Sequence, residues 1–95
     1  MQQTLAYIND GRGGTVVYKD NQSELKFSFE FGGGNCVAII FVPAIDEWTR
    51  ITKRAIEDRP AILTFVAEQA IRDQVPGGFF QLSDNCIEIF NTKTF

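Results

Sequence analysis

Histidine is absent from this chain of 95 residues, which has only two cysteines, one methionine and one tryptophan. Without histidine the chain can form neither a Ser-His-Asp triad nor a histidine-ligated metal site, and it lacks the usual proton shuttle near neutral pH. It also has no GxxxxGK phosphate-binding loop and no DxDxDG calcium loop. These absences argue against an enzyme, and we predict no catalytic residue, no metal and no cofactor.

Long hydrophobic runs are also missing. The longest apolar stretch, residues 36–43, is much shorter than the roughly 20 residues that cross a bilayer as a helix. The first ten residues, MQQTLAYIND, show neither the basic nor the apolar segment of a secretory signal. We therefore predict a cytoplasmic protein with no membrane contact.

The charge balance is slightly acidic. Nine Lys and Arg against twelve Asp and Glu give a formal net charge of −3 and a pI near 4.8. Proteins that hold nucleic acid through its phosphates carry a basic patch, so this balance disfavours a nucleic-acid partner. A hydrophobic fraction of 44% and the chain length predict one globular domain over residues 1–95.

The two cysteines, Cys36 and Cys86, both lie in apolar segments. Free cysteine is usually buried and packs as a small apolar side chain, which favours two reduced thiols in the core. The alternative is a disulfide that closes a loop of about 50 residues.

The clearest strand covers residues 24–31, where large apolar and polar side chains alternate. A period of two places the two sets on opposite faces of a strand. We therefore predict that Phe27, Phe29 and Phe31 are buried. The intervening Lys26, Ser28 and Glu30 should lie on the accessible face.

Turn-forming residues separate the remaining predicted elements. Two of these separators are glycine-rich loops, at residues 11–14 and 32–34. The turn signals delimit further strands, which are predicted at residues 4–8, 15–19, 36–42, 79–82 and 86–90. An amphipathic helix follows Pro43, with its apolar stripe on Ala44, Trp48, Ile51 and Ala55. Pro60 either starts a second helix or kinks a single one. Residues 91–95 are predicted to form a frayed tail.

These elements predict an α+β fold in the order ββββ-αα-ββ, with one or two helices packed on one face of an antiparallel sheet. Trp48, the only tryptophan, is interpreted as a core anchor, with a half-exposed interface anchor as the alternative. The predicted core consists of Leu25, Phe27, Phe29, Phe31, Val37, Ile39, Phe41, Trp48, Ile51, Leu63, Val66, Ile71 and Ile87.

The segment AIIFVPAIDEW, residues 38–48, runs from an apolar strand into a helix that bears the tryptophan. In this it resembles small bacterial immunity proteins of polymorphic toxin systems, whose size, acidic balance and α+β order are similar. The resemblance implies stoichiometric binding to a toxin, with no catalytic residues. The ββββα run is also similar to the repeat of Whirly and PUR single-strand binders, but the basic sheet face of those proteins is missing here.

We therefore predict a non-enzymatic protein that binds a protein partner or a second copy of itself. The alternative is a single-stranded nucleic-acid-binding module. The candidate interaction residues come from the two glycine-rich loops and from the polar face of the first helix; they are Arg12, Gly13, Gly33, Glu47, Arg50 and Arg54.

Overall fold

The computed structural model describes residues 2–91, in which six strands form one antiparallel sheet. The strands are β1 (Thr4–Asp10), β2 (Gly13–Lys19), β3 (Glu24–Phe31), β4 (Cys36–Phe41), β5 (Phe79–Leu82) and β6 (Cys86–Phe90). Their order across the sheet is β1-β2-β3-β4-β6-β5, so the first four strands form a meander. Apart from Asn91, the predicted tail lies outside the described residues.

Two helices lie between β4 and β5: α1 (Trp48–Thr52) and α2 (Arg59–Gln74). A short 3-10 turn precedes each of them, at Ile45–Glu47 and Ile56–Asp58. The α+β class and the order ββββ-αα-ββ are confirmed, and the helices pack against the sheet. No helix among residues 2–91 is long and apolar enough to cross a membrane.

The first helix is shorter than the apolar stripe predicted. It ends at Thr52; the next residue, Lys53, has a left-handed φ of 63°, and Ala55 is extended. The indole Nε1 of Trp48 donates a hydrogen bond to the carbonyl of Ala55 at 3.0 Å, and Arg54 N–H donates to Thr52 Oγ1 at 3.1 Å. These contacts hold residues 53–55 in a non-helical turn, whereas the predicted apolar stripe continues the helix to Ala55. The alternative with two separate helices is therefore correct.

The core lies between α2 and the helix-covered face of the sheet. Seven of its predicted members are buried: Leu25, Phe27, Phe29, Trp48, Leu63, Val66 and Ile87. Lys26, Ser28 and Glu30 are exposed, as the alternation predicted. Val37, Ile39 and Ile71 are only half-buried. The core also contains residues outside the prediction, which are Val16, Tyr18, Ile40, Val42, Ile62, Ala67, Ala70 and Ile89.

Three core predictions are wrong, because Phe31, Phe41 and Ile51 are 52%, 42% and 53% exposed. The register aligns Phe29 with Ile40, so β4 turns Ile40 into the core and Phe41 to the other face. Ile51 belongs to the five-residue α1, whose buried residues are Trp48 and Thr52. Phe31 ends β3 and packs edge-on against Phe29, with ring centroids 5.5 Å apart.

Candidate interaction surface

Strand pairing brings the two glycine-rich loops to the same end of the sheet. The N–H of Phe31 donates to the carbonyl of Arg12 at 2.8 Å, and Arg12 and Gly33 are both exposed. Gly13, however, is buried in β2, where a Cβ would collide with the carbonyl oxygen of Phe29. The prediction that Gly13 is an interaction residue is therefore wrong. Its lack of a side chain instead lets β2 and β3 approach closely.

The other three predicted residues lie at the opposite end of the meander. Glu47 and Arg50 form an ion pair on the surface, with the Arg50 side chain 70% and the Glu47 side chain 42% exposed, so the pair adds little stability. The prediction that Arg54 lies on the surface is wrong, because its side chain is only 6% exposed. The six candidate residues therefore do not form one continuous surface.

Arg54 instead joins α1 to the β2–β3 turn. Its Nη1 lies 3.0 Å from Asp20 Oδ1 and 2.9 Å from Ser23 Oγ, while its Nε donates to Asp58 Oδ2 at 3.1 Å. Asp58 lies four residues after Arg54, and the ion pair between them is formed from the buried Arg54 side chain. The guanidinium meets two carboxylates and a hydroxyl, which satisfies a buried charge.

Asp20 is the centre of this network. Burial opposes its ionisation, but hydrogen bonds from the Tyr18 hydroxyl, from the backbone N–H groups of Gln22 and Ser23 and from Arg54 outweigh that effect. Together they lower the pKa of Asp20 from 3.8 to about 2. The carboxylate therefore stays ionised throughout the physiological range.

Arg59 is a second buried arginine that the sequence analysis missed. It donates from Nη2 to the carbonyls of Pro43 at 3.0 Å and Asp84 at 2.6 Å, and it stacks over the ring of Trp48, 5.9 Å from the centroid. The backbone N–H of Ile45 in turn donates to Asp84 Oδ1 at 3.1 Å. These contacts fix the segment between β4 and α2 against the end of the sheet.

Next to that segment, the pairing between β3 and β4 is incomplete. Their register covers three pairs and stops at Phe29 opposite Ile40. Beyond Phe41 the chain turns towards β6, where Val42 N–H donates to the carbonyl of Asn85 at 3.0 Å. The first half of β3 therefore pairs only with β2, and a groove of about 560 Å³ lies beside it. We call this the β3 groove, lined by residues 24–28, 41–43, 51 and 52.

Main-chain polar groups of β3 form one wall of the β3 groove. The N–H of Phe31 bonds on the β2 side and that of Gly32 on the β4 side. Because successive strand residues direct these groups to alternate sides, the N–H and C=O of Lys26 point into the groove. Within residues 2–91, no strand pairs with Lys26 on that side.

Apolar side chains form the opposite wall. Phe41 and Ile51 line the groove and are exposed, as are Ile45, Ile56 and Leu82 elsewhere in the described chain. Single exposed apolar residues are ordinary, but Phe41 and Ile51 face an unpaired strand edge. The β3 groove thus offers hydrogen-bonding and apolar contacts together.

The polar side chains beside the groove carry both charges. Glu24 lies 3.5 Å from Lys19 Nζ and 3.8 Å from Lys26 Nζ, and Glu30 follows on the same face. These paired charges do not form the basic stripe on which phosphate binding depends. The groove therefore favours a partner with little net charge.

Both cysteines are free thiols, as the favoured interpretation predicted, but they are half-buried, not core residues. Cys36 pairs with Phe90 and Cys86 with Phe41, so they lie at opposite ends of the β4–β6 ladder. That is roughly 13 Å along the strand, too far for a disulfide. Burial and the nearby charge of Glu88 raise the pKa of Cys36.

Comparisons with family models, curated proteins and solved structures gave no match. The resemblance to immunity proteins is therefore still a prediction. Among residues 2–91, no three His, Cys, Asp or Glu side chains form a group that could hold a metal ion. The absence of catalytic, metal and cofactor sites likewise stays a prediction from the sequence.

Proposed function

We propose that this protein is a non-enzymatic binding protein that adds an extended segment of a protein partner to the free edge of β3. One observation carries the proposal: the β3–β4 ladder stops at Phe29, and the edge of β3 beyond it faces Phe41 and Ile51 across a groove. An unpaired strand edge is a template for pairing with another chain.

Strand addition divides affinity and specificity between the two walls of the groove. Main-chain hydrogen bonds to Lys26 supply affinity that does not depend on the partner's side chains. Phe41 and Ile51 select side chains on the incoming strand, because alternate residues of a strand face the same side. A segment with apolar residues at alternate positions and little net charge fits this arrangement.

The partner class in this proposal is a toxin, acting in the cytoplasm, as the resemblance of residues 38–48 implies. A second copy of the chain is the other candidate occupant. Because the charges beside the groove are paired, single-stranded nucleic acid is the less favoured ligand.

The proposal is tested by quantitative affinity purification with two pairs of variants. Lys26→Pro removes the N–H that points into the groove, while its control Lys26→Thr removes the same charge and keeps the N–H. Ile51→Ser removes an exposed apolar side chain of the groove, and Ile45→Ser removes one outside it.

We expect Lys26→Pro and Ile51→Ser to reduce capture of the partner at least tenfold, while both controls retain it. Within each pair, the variant and its control must have the same circular dichroism spectrum and melting temperature, so that a loss of capture reflects binding and not folding. Equal capture by all four variants, or enrichment of nucleic acid alone, would contradict the proposal.

A further inference from the structure

A second concave site lies on the helix-covered face, at the end of the sheet that carries the glycine-rich loops. It is a cavity of about 260 Å³ between the C-terminal part of α2 and strands β1 to β4 and β6. Its walls include Val16, Phe29, Ile40 and Ile89, all of which are buried core residues. The cavity opens to solvent at one end, since three of its lining residues are exposed, while its floor belongs to the hydrophobic core.

Small side chains on opposite walls explain why the cavity is open. Ala70 lines it from α2 and Ala38 lines it from β4, where larger apolar residues would fill the space. Asn9 and Gln74 also line the cavity and are exposed, as is Phe31, so the opening lies among these three residues. The cavity thus has an apolar interior and two neutral amides at its mouth.

The wall between β1 and α2 is fixed by hydrogen bonds. The hydroxyl of Tyr7 donates to Asp73 Oδ2 at 2.7 Å, and Gln69 Nε2 donates to Asp73 Oδ1 at 2.8 Å. The carboxylate of Asp73, which does not line the cavity, is therefore engaged by two donors. Among residues 2–91, no Asp, Glu, Lys or Arg side chain lines the cavity itself.

We infer that this cavity is a binding site for an uncharged, mainly apolar small molecule of about ten non-hydrogen atoms, with one polar group directed towards Asn9 and Gln74. The size follows from the volume, since an apolar cavity of about 150 Å³ accommodates benzene. The neutrality follows from the lining, because a buried charge without a partner is costly. The inference is independent of the β3 groove, which lies beside other residues.

Indole is the probe that tests this site, because it is a neutral bicyclic molecule with one N–H donor. We expect titration with millimolar indole to shift the backbone amide resonances of Ala38, Ala70 and Val75 in a saturable way. No saturable shift at these residues, or shifts confined to the β3 groove, would overturn the inference.

Filling the cavity provides the matched test. Ala70→Leu enlarges a side chain on the α2 wall of the cavity, and Ala38→Val enlarges one on the β4 wall. The control for Ala70→Leu is Ala61→Leu, which makes the same substitution at an exposed position of α2. Both filling variants should weaken indole binding at least tenfold, and Ala61→Leu should leave it unchanged. If Ala70→Leu fails to fold, Ala38→Val decides the question. Undiminished binding by a folded filling variant would contradict the inference.

Discussion

The guanidinium of Arg54 lies 3.0 Å from the carboxylate of Asp20, and both side chains are almost completely buried. The contact joins the segment after α1 to the β2–β3 turn, thirty-four residues earlier in the chain. Because this segment lies beside one wall of the β3 groove, the salt bridge helps to determine the shape of the proposed binding site.

Arg54→Met should be among the most destabilising single substitutions outside the apolar core. Removing one partner of a buried ion pair leaves an uncompensated charge and costs about 3–5 kcal/mol of unfolding free energy. Urea denaturation monitored by tryptophan fluorescence measures the loss. The matched control Arg50→Met breaks the exposed pair with Glu47 and should cost less than about 1 kcal/mol. Equal losses in the two variants would refute a structural role for Arg54.

The salt bridge should also make stability depend on pH in the acid range. The pKa of Asp20 is lowered on folding, so its ionised form stabilises the protein above the ordinary value of 3.8. That contribution is lost as the pH falls from about 4 towards about 2. The difference in unfolding free energy between the wild type and Asp20→Asn should therefore shrink across this window. A difference that stays constant from neutral pH to pH 2 would argue against the assignment.

The two glycine-rich loops should respond differently to the same substitution. Gly13→Ala places a methyl group against the carbonyl oxygen of Phe29 and should lower the unfolding free energy by more than about 1 kcal/mol. Gly33→Ala places it in open space and should be nearly neutral. Thermal melting of both variants checks the pair, and a neutral Gly13→Ala would show that β2 and β3 are farther apart.

The thiols provide a test of the β4–β6 register. Alkylation of denatured protein without reductant should label both cysteines, because Cys36 and Cys86 are free. In the native protein Cys36 should react slowly at neutral pH, because its raised pKa reduces the thiolate fraction. Mass spectrometry counts the labels, and an unlabelled chain two mass units lighter would reveal a disulfide and a different register.

The sequence pattern predicted the elements that depend on local periodicity. The alternation of residues 24–31 correctly placed Phe27 and Phe29 in the core, although Phe31 at the end of the strand is exposed. Pro60 lies at the start of α2, which is one of the two alternatives that the sequence left open. The core-facing side of β4 was harder to predict, because this strand is apolar on both faces. Only its register with β3, which places Ile40 opposite Phe29, shows that Ile40 and not Phe41 faces the core.

The candidate site could not be predicted because it depends on contacts between distant segments. Arg54 appeared to lie on a solvated helix face, and only Asp20, in a turn far from it in sequence, explains its burial. The β3 groove arises where a regular ladder stops, and no residue pattern signals such an interruption. Ile51, which lies on the other wall of the groove, was interpreted as part of a buried helix stripe.

Amide hydrogen exchange at Lys26 is the most direct test of strand addition to the β3 groove. In the free protein the Lys26 N–H should exchange much faster than that of its neighbour Phe27, whose N–H points towards β2. Binding of the partner should slow exchange at Lys26 at least tenfold and change Phe27 little. A Lys26 amide that is already protected in the free protein, or that exchanges equally fast in the complex, would contradict the account.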